Sequence, residues 1–145
     1  MRVTLCLIAA LFANVATAKE AHISYSTLAA VPPNPFHSAN FTVGLEVEST
    51  FYDVMKLQAW LEEDHFAFET IDSEDGKIVT SIGGLANDYQ EKVGWQLFIV
   101  PEYPADWWTI PDDSYRATKP VDKIVIEDGQ HFYFIYLEIR NEQKP

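Results

Sequence analysis

The stretch "FTVGLEVESTFYDVMKLQAWLEED", from Phe41 to Asp64, contains the two hydrophobic periods that decide the fold. In its first seven residues, apolar side chains alternate with polar or small ones, which is the pattern of a half-buried strand. Thr50, with Asp53 three residues later, is a variant of the capping box that begins a helix. The apolar positions that follow recur at roughly helical spacing, and the predicted core positions are Phe51, Val54, Met55, Leu57, Ala59 and Leu61. The stretch therefore predicts one strand followed by one helix.

A second strand precedes this stretch. "HISYSTLAAV", from His22 to Val31, is rich in β-branched and aromatic residues and predicts a strand. Pro32 and Pro33 end it, and the following "NPFHS" predicts a proline-punctuated turn. The two strands together predict a first hairpin.

The residues after the helix predict further strands. "FAFETI" and "IVTSI" form a second hairpin around Asp75-Gly76, and Gly83-Gly84 end it with positive φ angles. "LANDYQEKVG" predicts a polar connection, and the apolar run "WQLFIV" predicts a central strand covered on both faces. "KIVIEDGQHFYFIYLEI" predicts a last pair of strands. The predicted class is α+β, a small mixed β-sheet crossed by one helix in a β-grasp-like arrangement.

The chain begins with the pattern of a secretory signal peptide. Arg2, an apolar run and a small-x-small end at Ala18 predict that residues 1–18 are removed and that residues 19–145 form a single extracellular domain. Loss of Arg2 lowers the 10 basic residues to 9, which against 22 acidic residues gives a formal charge of −13. So negative a surface disfavours binding to nucleic acid or anionic membranes. Asn40 begins an N-glycosylation sequon, which predicts a surface position.

The sequence offers no recognisable catalytic or metal-binding motif. The chain has four histidines: His22, His37, His65 and His131. Their spacings are not those typical of zinc ligands. No nucleophile motif is present, and Cys6, the single cysteine, lies in the signal. These patterns predict a protein that is not an enzyme and has no metal site.

The loop "PEYPADWWTIPDDSYRATKP" contains two adjacent tryptophans, Trp107 and Trp108. Neighbouring side chains of an extended segment point to opposite sides, so one indole is expected to reach solvent or a partner. The alternatives are a lid that packs over the sheet and a surface that binds another protein.

Three stretches resemble the C-terminal β-domain of the transcobalamin and intrinsic factor proteins. They are "STFYDVMKLQAWLEEDHFAFETIDSEDGKIVTSIGGL", "GWQLFIV" and "VDKIVIEDGQHFYFIYLEI", and with the strand before them the resemblance covers about residues 41–139. The shared features are an "ST" start of the helix, an "SI.G" turn, a Trp-Gln strand and a final "DG" turn. The resemblance implies a β-grasp-like binding module that needs no cofactor and performs no catalysis.

The resemblance also implies a ligand and a site. Cobalamin or another corrinoid is the implied ligand, and a helical-barrel partner protein is implied for its other face, because this chain has no barrel. The implied ligand-binding residues are Trp95, Gln96, Leu97, Phe98, Ile124, Val125, Ile126 and Glu127, with Trp107 or Trp108 closing over the ligand. The alternative function is an extracellular protein–protein interaction or matrix module that uses the Trp107-Trp108 loop.

Overall fold

Two strands come first in the chain, the main helix follows, and the other described strands come after it. The computed structural model describes residues 19–29, 36–44, 48–103 and 109–139. Within them the strands are β1 (Glu20–Ala29), β2 (His37–Gly44), β3 (Phe68–Asp72), β4 (Lys77–Ile82), β5 (Leu85–Ala86), β6 (Val93–Val100) and β7 (His131–Glu138). The helices are α1 (Phe51–Leu61) and α2 (Glu63–Phe66), and 3-10 turns lie at Asp113–Tyr115 and Val121–Lys123. None of the described helices combines the length and the apolar character that a membrane crossing needs.

The larger sheet is mixed, with the strand order β2-β1-β7-β6. Strand β1 pairs with β2 in the antiparallel direction, which confirms the first hairpin, and with β7 in the parallel direction, with Tyr25 opposite Phe132. Strands β7 and β6 are antiparallel, with Leu97 opposite Phe134. Strands β3, β4 and β5 form a separate antiparallel sheet. The α+β class with one main helix on a mixed sheet is confirmed, and the strands divide between two sheets.

Helix α1 begins where the capping box predicts. The backbone N–H of Thr50 donates to the Asp53 carboxylate at 3.0 Å, and this bond lowers the pKa of Asp53. The buried face consists of Phe51, Val54, Met55 and Gln58. The predicted core positions Leu57 and Leu61 are wrong, because they are 46% and 59% exposed. At 3.6 residues per turn Leu57 lies roughly a third of a turn away from the middle of that buried face.

An aromatic cluster joins the helices to the inner face of the larger sheet. The Tyr25 ring lies 5.1 Å from the rings of both Phe51 and Phe66, and Phe51 stacks on Phe132 at 4.2 Å. All four side chains are fully buried. Each such ring contributes about 1.5–3 kcal/mol through removal of its surface from water, so this cluster is a main source of stability.

Several predicted elements differ from the structure. The "WQLFIV" strand begins at Val93 and lies at the edge of its sheet, although both its faces are covered, since Leu97 and Phe98 are buried. The predicted last pair of strands is wrong: around Val125 only an isolated bridge to Thr50 forms, and β7 runs alone into the sheet centre between β1 and β6. The polar connection after Gly83-Gly84 contains the short strand β5, and strand β2 already begins at His37, where a turn was predicted.

Two further predictions are confirmed, and two others concern residues that the structure does not describe. Gly83 and Gly84 have φ angles of 58° and 81°, so both end β4 in the left-handed region, as predicted. Asn40 is exposed on β2, which confirms its surface position, while its glycosylation stays a prediction. The signal over residues 1–18 and the pair Trp107-Trp108 lie outside the described residues.

Candidate functional site

An open groove of about 640 Å³ runs beside strand β6. One wall is the inner face of β6, which contributes Trp95 and Leu97. The other walls come from β4, with Val79, and from the segment 116–123 that leads towards β7. The groove therefore adjoins the strand that the family resemblance marks for ligand binding.

Trp95 is fixed in place on three sides. Its indole N–H donates to the main-chain oxygen of Leu85 at 2.7 Å, and its backbone N–H donates to the Asn87 side-chain oxygen at 2.8 Å. The indole ring also packs edge-on against Tyr136, with ring centroids 5.3 Å apart. Because its single polar atom is already bonded, Trp95 offers a ligand the remaining surface of its ring.

Gln96 and Phe98 occupy the face of β6 opposite Trp95 and Leu97, because successive strand residues alternate. Gln96 borders the groove, but its amide nitrogen donates to the main-chain oxygen of Glu138 at 2.9 Å, and the side chain is buried. Phe98 is fully buried, with the Arg116 guanidinium 5.4 Å from its ring centre. The structure thus divides the four predicted β6 residues between two faces.

The second predicted segment lines a neighbouring groove of about 390 Å³. Ile124, Val125 and Glu127 border it, whereas Ile126 is buried in the core. The two grooves share a wall, the segment from Arg116 to Lys119. This wall is joined to β6 because the backbone N–H of Ala117 donates to the main-chain oxygen of Leu97 at 2.8 Å.

The lining of the groove beside Trp95 is rich in basic side chains, although the chain has a net charge of −12. One carboxylate, Asp75, and four basic side chains border it, the basic ones being Lys77, Arg116, Lys119 and Lys123. Three of these basic side chains also pair with carboxylates outside the lining: Lys77 with Asp72 and Arg116 with Asp113, each at 2.8 Å, and Lys123 with Asp122 at 4.0 Å. The sequence analysis did not predict these basic residues as part of a site. The pattern that could have indicated them is the run "RATKPVDK", which has three basic residues in an acidic chain.

The outer face of the larger sheet contains a serine–histidine contact. Ser24 Oγ lies 2.6 Å from His131 Nδ1, and burial lowers the pKa of His131. A nucleophile must be reachable by its substrate, but Ser24 is only 2% exposed. This contact is therefore best explained as a structural bond between β1 and β7.

Three residues that no sequence motif connects lie close together at the β2 edge of the larger sheet. His37, Glu62 and His65 each offer a ligand atom, and these atoms all lie within 4.8 Å of one another. No sequence motif indicates this cluster, because His37 lies on β2 and the other two residues lie in or next to helix α2.

Known proteins share this fold. No protein-family model matches the chain. The Uncharacterized protein CG3556 of Drosophila melanogaster is 26% identical over 118 residues, which are 81% of this chain and 20% of that protein. Haptocorrin in complex with Cbi superposes with a TM-score of 0.65 at 17% identity, over 88% of this chain and 27% of haptocorrin. A "putative metal binding protein" from Ruminococcus gnavus superposes with a TM-score of 0.55 at 12% identity, over 83% of this chain and 99% of that one.

The chain thus spans about a fifth of the fly relative and about a quarter of haptocorrin. At these identities the likeness to solved structures is a likeness of fold. It agrees with the resemblance found in the helix, the Trp-Gln strand and the final turn. The chain has a transcobalamin C-terminal-like fold.

Proposed function

We propose that the protein is a secreted, non-enzymatic binding module that holds a corrinoid, cobalamin being the named candidate, in the groove beside Trp95. The observation that carries the proposal is the position of this groove. It adjoins the strand that the family resemblance marks, in a fold shared with haptocorrin in complex with Cbi.

The chemistry of the groove suits such a ligand. A corrinoid is a large, flat ring fringed by amides, and cobalamin also carries a phosphodiester. The indole of Trp95 and the side chain of Leu97 supply apolar surface for the ring. The basic side chains donate charge-assisted hydrogen bonds to amide oxygens and to the phosphate.

A free metal ion suits this groove less well, although the bacterial neighbour is named for metal binding. Basic side chains outnumber carboxylates in the lining of the groove, so the groove offers a free metal ion few oxygen ligands. The groove therefore favours a neutral or partly anionic ligand.

The groove covers one face of a flat ligand. As the family resemblance implies, we propose that a helical-barrel partner protein covers the other face. Alone, this chain is expected to bind a corrinoid weakly, since a half-open site leaves much of the ligand in water. Closure by Trp107 or Trp108 is part of this proposal.

Equilibrium dialysis with cobalamin, read by its visible absorbance, tests the proposal. We expect saturable binding with a Kd on the order of 100 μM, weaker than an enclosed site gives. Lys119→Glu, a charge reversal at an exposed position of the groove, is expected to lower the affinity by about tenfold. Lys19→Glu makes the same charge change outside the groove and is the matched control.

A second ligand, cobinamide, distinguishes the contribution of the phosphodiester from that of the corrin ring. Cobinamide lacks the phosphodiester but keeps the amides of the ring, so the Lys119→Glu change is expected to weaken its binding less than that of cobalamin. Absence of saturable binding of either corrinoid at about 1 mM would refute the proposed function. Equal loss of cobalamin binding in the Lys19→Glu control would refute the assignment to this groove.

A further inference from the structure

Two histidines and a glutamate form a cluster at the β2 edge of the larger sheet. His37 is the first residue of β2, Glu62 lies between the two helices, and His65 lies in α2. The two imidazole rings stack at 3.7 Å with 14° between their planes. His65 Nε2 lies 3.9 Å from Glu62 Oε1.

Two ring nitrogens of the cluster are buried without a hydrogen-bond partner among the described residues. They are Nε2 of His37 and Nδ1 of His65. Buried polar atoms in proteins are nearly always bonded, so two such atoms in adjacent rings call for a chemical explanation. A neutral imidazole has one ring nitrogen with a lone pair that can bind a metal ion.

The carboxylate of the cluster is positioned by a buried amide. Gln58 is 4% exposed on the buried face of α1, and its Nε2 donates to Glu62 Oε2 at 3.2 Å. That bond occupies one carboxylate oxygen, and the other oxygen faces His65. Carboxylates that bind metals are commonly oriented by such hydrogen bonds.

We propose that His37, Glu62 and His65 bind one Zn²⁺ ion. Two imidazoles and one carboxylate are a known zinc ligand set, and they leave the fourth position of a tetrahedron for water. Imidazole nitrogen disfavours Ca²⁺ and Mg²⁺, which prefer oxygen ligands. The site is independent of the proposed corrinoid function, because β2 and β6 lie at opposite edges of the sheet.

Zinc binding requires a small rearrangement. Ligand atoms around tetrahedral zinc lie roughly 3.4 Å apart, since each is about 2.0–2.2 Å from the ion. Stacked rings direct their nitrogen lone pairs side by side, so the His65 ring must turn towards His37 and Glu62. The side chains of His65 and Glu62 are 37% and 46% exposed, which leaves them room to do so.

Isothermal titration of the tag-free protein with Zn²⁺ tests the site, with millimolar Mg²⁺ present to occupy surface carboxylates. We expect one equivalent of Zn²⁺ to bind, and the variants His37→Gln, His65→Gln and Glu62→Gln each to bind at least about tenfold more weakly. His22→Gln removes an exposed histidine from β1 and is expected to bind Zn²⁺ as the wild type does. With Co²⁺ as probe, visible absorption bands of a four- or five-coordinate ion are expected in the wild type and lost in His65→Gln.

The proposal is overturned if no Zn²⁺ binds more tightly than about 100 μM. It is equally overturned if His65→Gln binds Zn²⁺ as tightly as the wild type. Because His65 and Glu62 are partly exposed, their variants are expected to fold, and circular dichroism of each variant checks this.

Discussion

The indole N–H of Trp95 donates to the main-chain oxygen of Leu85 at 2.7 Å. This bond joins β6 of the four-stranded sheet to β5 of the three-stranded sheet. Trp95 is thus both a structural link and a wall of the groove. A ligand in the groove meets an indole already held in position, so little side-chain entropy is lost on binding.

Trp95→Phe is expected to lower the free energy of unfolding by about 1–3 kcal/mol. The change removes the hydrogen bond, worth about 0.5–1.5 kcal/mol, and leaves a gap where the larger ring packed. Urea denaturation followed by circular dichroism measures the loss. The matched control is Trp60→Phe, because Trp60 is 81% exposed on α1. Its change is expected to stay within about 0.5 kcal/mol, and equal losses in both variants would contradict the linking role of Trp95.

The parts of the fold that were predictable depend on local chemistry. The Thr50–Asp53 cap and the Gly83-Gly84 turn each involve residues a few positions apart. In the first hairpin, the alternation of Phe41 and Val43 with polar neighbours matches their half-buried positions. Such patterns involve residues that are only a few positions apart, so they can be recognised in a single sequence.

The parts that were missed depend on contacts between distant residues. Ser24 and His131 are neighbours in space but 107 positions apart, and nothing local predicts that β7 enters the sheet parallel to β1. An apolar run such as "WQLFIV" is the same whether its strand lies at the centre of a sheet or at an edge covered by another segment. The cluster of His37 and His65 was missed for the same reason, because it forms only when β2 packs beside α2.

Tyr25→Phe is expected to leave the free energy of unfolding unchanged or to raise it by about 1 kcal/mol. The Tyr25 hydroxyl is buried without a hydrogen-bond partner among the described residues, and its burial strongly raises the pKa of Tyr25. Removal of an unpaired buried hydroxyl abolishes a desolvation cost while the ring contacts remain. Chemical denaturation at neutral pH measures the difference.

Tyr136→Phe is the matched comparison for Tyr25→Phe. The Tyr136 hydroxyl donates to the main-chain oxygen of Ala86 at 2.8 Å, so its loss is expected to cost about 0.5–1.5 kcal/mol. If Tyr25→Phe were the more damaging of the two changes, the Tyr25 hydroxyl would have to be bonded.

Gly76→Ala is expected to destabilise the protein by about 2 kcal/mol or more. Gly76 has a φ of 144°, and an added Cβ would lie 2.5 Å from Asp122 Oδ1 and 2.9 Å from Pro120 Cβ. The same Asp122 oxygen accepts the backbone N–H of Lys77 at 2.8 Å, so the clash would push the β3–β4 turn away from the groove wall. Backbone strain in this region of φ adds about 1–2 kcal/mol.

Gly44→Ala is the control for Gly76→Ala, and thermal melting of both variants is the measurement. Apart from its chain neighbours, no atom of the described residues lies within 4 Å of a Cβ placed at Gly44, and its φ lies outside the positive range. We expect this variant to be neutral or more stable by about 0.4–1 kcal/mol, because alanine restricts the unfolded chain. A similar loss in both variants would mean that the turn at Gly76 is not pressed against Asp122.

The free energy of unfolding is expected to fall as the pH is lowered from about 7.5 to about 5.5, in part through His131. Burial lowers the pKa of His131 below its ordinary value of 6.5, so between the two values the unfolded chain binds more protons than the folded one. Stability therefore rises with pH through this window and is lost as the pH falls. Ser24 is the hydrogen-bond partner of His131, Tyr103 packs edge-on against it at 5.5 Å, and His22 lines the same surface pocket.

His131→Gln is expected to flatten the dependence of the unfolding free energy on pH, measured by urea denaturation at several pH values with a chelator present. The slope should decrease rather than vanish, because the pKa of His37 is lowered too and acts in the same direction. His22→Gln, on the same sheet face, is the matched control and should retain the wild-type slope. A wild-type slope in His131→Gln would show that the imidazole gains its proton as readily in the folded chain as in the unfolded one. That outcome would contradict the effect expected from the partial burial of His131 on β7.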